Sequence, residues 1–234
     1  MRIEVLSDPE AVARVAASLI ANDARARVAA HGRFTIAVSG GHTPSLMLRL
    51  LAEEKVPWAS VEIFQVDERV APDGDRDRNL THLREDLLER APILSAQFHP
   101  MPVGAELDVG PSRYSAELRA VAGSPPVLDL VHLGLGPDGH TASLVPGDPV
   151  LDITDADVGT TGTYLGRRRM TLTYPTLNRA RRVLWIVTGE DKAAMLDRLC
   201  SGDSTIPAGR IHREHALILA DRLAAQMDEI APSI

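Results

Sequence analysis

A strongly apolar run, residues 127–135, leads straight into Gly136-Pro137-Asp138-Gly139-His140. An unperturbed imidazole titrates near pH ~6.5, so His140 can take a proton from water close to neutrality. Asp138, two residues earlier, can orient that ring or shape its loop. A second apolar run, 61–66, ends on Asp67-Glu68-Arg69. Three consecutive charges there are costly unless they pair or work. Arg69 can clamp a phosphate or polarise a carbonyl, and Asp67 can accept hydrogen bonds from sugar hydroxyls. A solvated loop start or an internal ion pair would account for them equally. The third candidate is Ser39-Gly40-Gly41-His42-Thr43-Pro44. Its glycines let the backbone turn tightly. Thr43 fits an N-cap and Pro44 the first helical position, which would leave free N–H groups facing an anion. An ordinary strand-to-helix turn is the alternative, and His42 fits either.

Two motifs mislead. Residues 134–139 match G-x-G-x-x-G, but Pro146-Gly147 stops any following helix after about two turns, and a dinucleotide site needs a long one. Ala37-Val38-Ser39-Gly40-Gly41 resembles a nucleophile elbow, yet Ser39 follows only the second strand, too early for an α/β-hydrolase nucleophile. No spacing of His, Cys or carboxylates suits a metal, so none is expected. His31, His82, His99, His132, His212 and His215 have no setting like that of His140 and read as surface or satisfied structural residues.

The elements that must position these groups alternate along the chain. Strands are expected at 3–6, 34–38, 61–66, 127–135, 170–173, 183–187 and 216–220. Helices are expected from Ser7 or Asp8 to about Gly32, from Thr43 to about Glu54, and over 79–90, 111–122, 191–199 and 221–230. This rhythm predicts an α/β fold with a mostly parallel, doubly wound open sheet and helices on both faces. In such sheets ligands bind beyond the carboxyl ends of strands, where all three candidate segments fall. No repeat or linker interrupts the 234 residues, and a single domain is expected over 1–234.

Composition narrows the class. The chain is 44% hydrophobic but only 3% aromatic, so aliphatic side chains must fill the core. A net charge of -7 argues against general nucleic-acid binding. Cys200 is the one cysteine, which rules out an internal disulfide and fits a reducing cytoplasm; it reads as a packed or idle thiol. Neither a signal peptide nor a membrane span is expected.

Taken together, these segments resemble the 6-phosphogluconolactonase family, within a larger group that also holds glucosamine-6-phosphate deaminase and ribose-5-phosphate isomerase. Pro57-Trp58, Asn79, the run Asp129 to Gly147, Arg169-Met170-Thr171, Leu177-Asn178-Arg179 and Thr188-Gly189-Glu190-Asp191-Lys192 add to the likeness, in family order. Arg69 stands where the deaminases usually carry an aromatic residue, and Thr141-Ala142-Ser143-Leu144 also follows the lactonase pattern. Val145, and the lack of a Trp-Phe pair near Asp221, depart from it.

The resemblance implies a Rossmann-like fold related to the sugar-phosphate isomerases and deaminases. It implies hydrolysis of 6-phospho-D-glucono-1,5-lactone to 6-phospho-D-gluconate in the pentose phosphate pathway, without cofactor or metal. His140 would activate water, Asp138 would support it, and Arg69 would stabilise the oxyanion or bind phosphate. Ser39, Gly40, Gly41 and Thr43 would form the phosphate turn, completed by Arg169 and Lys192. Asp67 matches the base of the deaminases, so its role is open. The expected partner is a small sugar-phosphate lactone, with no nucleic acid or membrane, and the expected state is a cytoplasmic monomer or weak homodimer. The rivals are a related isomerase or deaminase, which would release ammonia from an amino sugar, and a non-catalytic sugar-phosphate sensor.

Overall fold

The computed structural model describes residues 1–104 and 107–227, with all their side chains except those of His42 and Thr43. Strands β1 (Arg2–Leu6), β2 (Phe34–Val38) and β3 (Val61–Gln65) alternate with helices α1 (Pro9–His31) and α2 (His42–Glu53). Asp8 caps α1 by accepting from the Ala11 N–H at 2.8 Å, and Gly32 ends it in a left-handed conformation (φ 77°). Next come β4 (Asp67–Arg69), α3 (Asn79–Leu83), β5 (Phe98–His99), α4 (Gly110–Ala122) and β6 (Leu130–Gly134). The chain continues through β7 (Val158–Thr160), β8 (Arg169–Leu172), α5 (Tyr174–Arg179), β9 (Val183–Val187), α6 (Ala193–Ser201) and β10 (Ala216–Asp221).

Seven strands form one parallel sheet in the order β1-β10-β9-β6-β2-β3-β5, and β4-β8-β7 form a small antiparallel one. Side chains alternate across the main sheet. On β9, Leu184 and Ile186 face a core with α1 and α2, whereas Val183, Trp185 and Val187 face a core with α4, α5 and α6. Both faces are thus covered, which explains why the central strands are almost continuously apolar. From β2 the chain crosses outward to β3, and from β6 it crosses the other way to β9 and β10. Strand order therefore reverses between β2 and β6, and a crevice must open at their carboxyl ends.

Several expectations need correction. Gly41, not Thr43, occupies the cap position of α2, because the helix already begins at His42. Asp67–Arg69 is a strand of the second sheet rather than a loop start. The helix expected over 79–90 is a five-residue α-helix followed by a wide turn, Arg84–Leu88, with i→i+5 bonding. The helix expected over 221–230 does not start at Asp221, which ends β10 and is followed by turns; residues 228–230 lie outside the described residues. There the Asp221 carboxylate accepts from the N–H groups of Ala224 at 2.8 Å and Gly189 at 3.1 Å, bracing β10 against the end of β9. Among the described residues no helix is long and apolar enough to cross a membrane.

Candidate active site

The loop after β6 is folded around its histidine. The Gly136 N–H donates to the His140 carbonyl at 2.8 Å, and the Gly139 N–H to Gly136 at 3.0 Å. A Cβ on Gly136 would run into the His140 ring, and Gly139 has φ 82°. These glycines therefore serve the histidine, as the rejection of a dinucleotide loop required. Asp138 Oδ1 receives both the His140 N–H (3.1 Å) and ring Nδ1 (2.6 Å). Tyr164 donates its hydroxyl to Asp138 Oδ2 at 2.9 Å. Burial pushes the Asp138 carboxyl up, but the bonds from His140 and Tyr164 outweigh it and hold the group below its ordinary value. An ionised Asp138 accepts the Nδ1 proton, which leaves the Nε2 lone pair as the basic site.

Strand β4 sorts its three charges. Glu68 is fully buried and structural: it accepts from the N–H groups of Asn79 (2.8 Å) and Leu80 (2.9 Å) at the start of α3, and pairs with Arg78 at 3.0 Å. Asp67 turns to the cleft, with Ser143 Oγ donating to one carboxylate oxygen at 2.6 Å and Asn79 Nδ2 to the other at 3.1 Å. Arg69 stands directly opposite Arg169 across the β4–β8 ladder. Like charges so placed destabilise a sheet, and among the described residues neither Nε has a hydrogen-bond partner. Burial, then the charge of Arg69, pull Arg169 below its ordinary pKa. Such a pair calls for an anion.

The turn after β2 forms the facing wall. Ser39 donates its hydroxyl to the His132 carbonyl at 2.9 Å, and its N–H points to His132 Nδ1 at 3.3 Å. Among the described side chains no imidazole accepts from that hydroxyl, whose proton goes to the His132 carbonyl. His132 was read as a satisfied or surface residue; it is instead fully buried beneath the turn, and its Nε2 has no partner among the described residues. Lys192, brought in from the end of β9, pairs with the exposed Asp191 at 2.8 Å.

Ser39, Gly40, Asp67, Arg69, His140, Arg169 and Lys192 line one open cleft of about 190 Å³ at the strand reversal. Asp138 stands behind His140. Gly41 does not reach this cleft and faces an adjoining hollow instead, and the side chain of Thr43 lies outside the described residues. Asn79 and Tyr164 were missed as site residues. Asn79 lines the cleft, and a Cβ on Gly40 would strike its side chain. Its place in the family pattern was the available signal; Tyr164 had none. Among the described residues no cluster of three or more His, Cys, Asp or Glu is arranged to hold a metal ion.

The family model described as glucosamine-6-phosphate isomerases/6-phosphogluconolactonase matches residues 7–219. The 6-phosphogluconolactonase of Synechocystis sp. is 36% identical over 208 residues, covering 85% of this chain and 86% of that protein. The one of Mycobacterium tuberculosis is 35% identical over 238 residues, covering 95% and 96%. The crystal structure of 6-phosphogluconolactonase from Thermotoga maritima has a TM-score of 0.84 at 26% identity, covering 94% of this chain and 98% of that one. A monomeric glucosamine-6-phosphate deaminase has a TM-score of 0.85 at 17% identity, covering 97% and 100%, and so shares the fold alone. Because the matched span takes in every strand end that builds the cleft, the chain belongs to the family of glucosamine-6-phosphate isomerases and 6-phosphogluconolactonases.

Proposed function

We propose that the chain hydrolyses 6-phospho-D-glucono-1,5-lactone to 6-phospho-D-gluconate, a step of the pentose phosphate pathway, with His140 as general base. The observation that carries this reading is a carboxylate-held imidazole opening into a cleft walled by two opposed arginines. The substrate has matching parts: an electrophilic carbonyl and a remote dianion. The curated relatives of comparable length in Synechocystis sp. and Mycobacterium tuberculosis carry the lactonase name.

In this mechanism the phosphate binds Arg169, Lys192 and the start of the turn at Ser39-Gly40, which orients the ring ahead of the chemical step. His140 Nε2 takes a proton from water as the water oxygen bonds to the lactone carbonyl carbon. The carbonyl electron pair moves to its oxygen, and Arg69 stabilises that oxyanion. Collapse restores the carbonyl and breaks the bond to the ring oxygen. His140 returns its proton to that oxygen as the hydroxyl of the open product, whose new carboxyl group ionises into solvent. Asp138 keeps Nδ1 protonated and stabilises the imidazolium, and Asp67 with Asn79 receives sugar hydroxyls.

The chain acts as one domain, a monomer or weak homodimer, in the cytoplasm; its single cysteine suits a reducing compartment. The test is a direct assay of fresh lactone against its spontaneous hydrolysis. Acid release above background, lost in His140→Gln and retained in excess chelator, is the expected result. Ammonia release from glucosamine 6-phosphate would point to a deaminase instead.

A further inference from the structure

We infer that Tyr164 is a positioning residue that joins the base to the anion wall: its hydroxyl sets the Asp138–His140 pair, and its ring seats Arg169. The inference rests on the general-base reading above. Tyr164 sits in the connection between β7 and β8, far in sequence from the His140 loop, yet its contacts fall on three residues of the proposed machinery. The hydroxyl donates to Asp138 Oδ2 at 2.9 Å and lies 3.5 Å from His140 Nδ1. The ring meets the His140 ring edge-on, with centroids 5.6 Å apart. The Arg169 guanidinium lies over the face of the same ring, 4.9 Å from its centroid.

This placement is built. Tyr164 and Arg167 exchange backbone bonds of 2.9 and 3.2 Å around a two-residue turn, Leu165-Gly166, in which both residues have positive φ (49° and 78°). Arg167 then pairs with Asp75 at 3.2 Å and Asp77 at 2.9 Å, which ties the hairpin to the loop after β4. An exposed leucine at the tip, Leu165, shows that the turn is not held by burial of its own apex. The Tyr164 side chain is thus fixed by its hairpin before any ligand arrives.

The chemistry separates into two parts. A phenol donating to Asp138 Oδ2 draws negative charge from the carboxylate, so Asp138 stabilises the imidazolium less strongly. It also leaves Oδ1 turned to Nδ1, holding the ring that presents Nε2. The aromatic face, by contrast, supports a guanidinium that burial and Arg69 both disfavour. The charged and titratable groups around the dyad are Tyr164, which touches both members, and Arg69, Asp67, Arg169 and Lys192, which line the same cleft as His140; no carboxylate besides Asp138 hydrogen-bonds to the His140 ring among the described residues.

Two variants distinguish the parts. Tyr164→Phe keeps the ring and removes the hydroxyl. Its kcat should fall about tenfold with KM unchanged, and the acid limb of kcat/KM should move to higher pH by about 0.5 unit. Tyr164→Leu removes both contacts and should also raise KM several-fold, with weaker protection by inorganic phosphate in thermal melts. A Tyr164→Phe enzyme with wild-type kcat and an unmoved acid limb would overturn the inference, as would a Tyr164→Leu enzyme with unchanged KM and phosphate protection. His140→Gln is the control: if it keeps activity, the general-base reading fails; if it is inactive while Tyr164→Phe behaves as wild type, only the role of Tyr164 fails.

Discussion

His140 can be disabled in two separate ways. Its own chemistry is lost in His140→Gln, which should lower kcat by roughly 10²–10⁴-fold while the folded state persists by circular dichroism. The space for its ring is lost in Gly136→Ala. Gly136 has no positive φ, so the substitution strains no backbone, but the new Cβ collides with the imidazole. A displacement of about 1 Å costs on the order of 10²-fold in rate. We expect a loss of that size in kcat at nearly normal KM and Tm, and a kinetically silent Gly136→Ala would show that the ring position is not critical. His140, Asp138 and these glycines were readable from the sequence because they lie within five consecutive residues. Tyr164 was not, because its bond to Asp138 spans 26 positions and exists only once the β7–β8 hairpin has folded back.

Among the elements, the long parallel strands were the easiest to anticipate. Burial on both faces leaves a continuous apolar signature, and β2 and β9 match their expected bounds. Of the second sheet only β8 was anticipated, at 170–173, and the rest was hidden for the opposite reason. Its strands are three or four residues long, and β4 reads Asp67-Glu68-Arg69, a run whose charges are made tolerable only by distant partners such as Asn79, Arg78 and Ser143. The segment after β10 was misjudged because its alanine and leucine content favours a helix, whereas the Asp221 carboxylate claims the Ala224 N–H for a turn. The β4–β8 pairing has a thermodynamic consequence. It sets Arg69 directly opposite Arg169, where burial and the Arg69 charge outweigh the favourable charges of Asp67 and Asp138. Removing one charge in Arg169→Met should therefore raise Tm in anion-free buffer. Inorganic phosphate should stabilise the wild type, by about 2.7 kcal/mol at a hundred times its Kd, and the variant far less. If phosphate protects both equally, the two arginines do not form the anion wall.

For the molecule as a whole, the alternating pattern of elements identified an α/β sheet but not the point at which strand order reverses, since that depends on which strands pair. The reversal between β2 and β6 is what gathers segments separated by about a hundred residues into one cleft. It also buries His132, on β6, under the Ser39 turn. Burial lowers the pKa of His132 from 6.5 to about 4. In the unfolded chain the imidazole returns to its ordinary value near ~6.5. Between these two values the unfolded state binds a proton that the folded state refuses, so stability must fall as pH drops through this window. The group has no effect above pH ~6.5, and its penalty levels off once the folded protein also protonates near 4. The slope is about 1.4 kcal/mol per pH unit, which makes the whole penalty about 3 kcal/mol and the part between pH 7 and pH 5 about 2 kcal/mol. Urea unfolding at these two pH values measures it directly. His132→Phe should flatten the dependence by that amount, whatever its absolute stability, because other titrating groups contribute equally to both proteins. Parallel pH dependences in wild type and variant would mean that the imidazole titrates alike folded and unfolded, and that the cleft turn is not seated on a neutral histidine.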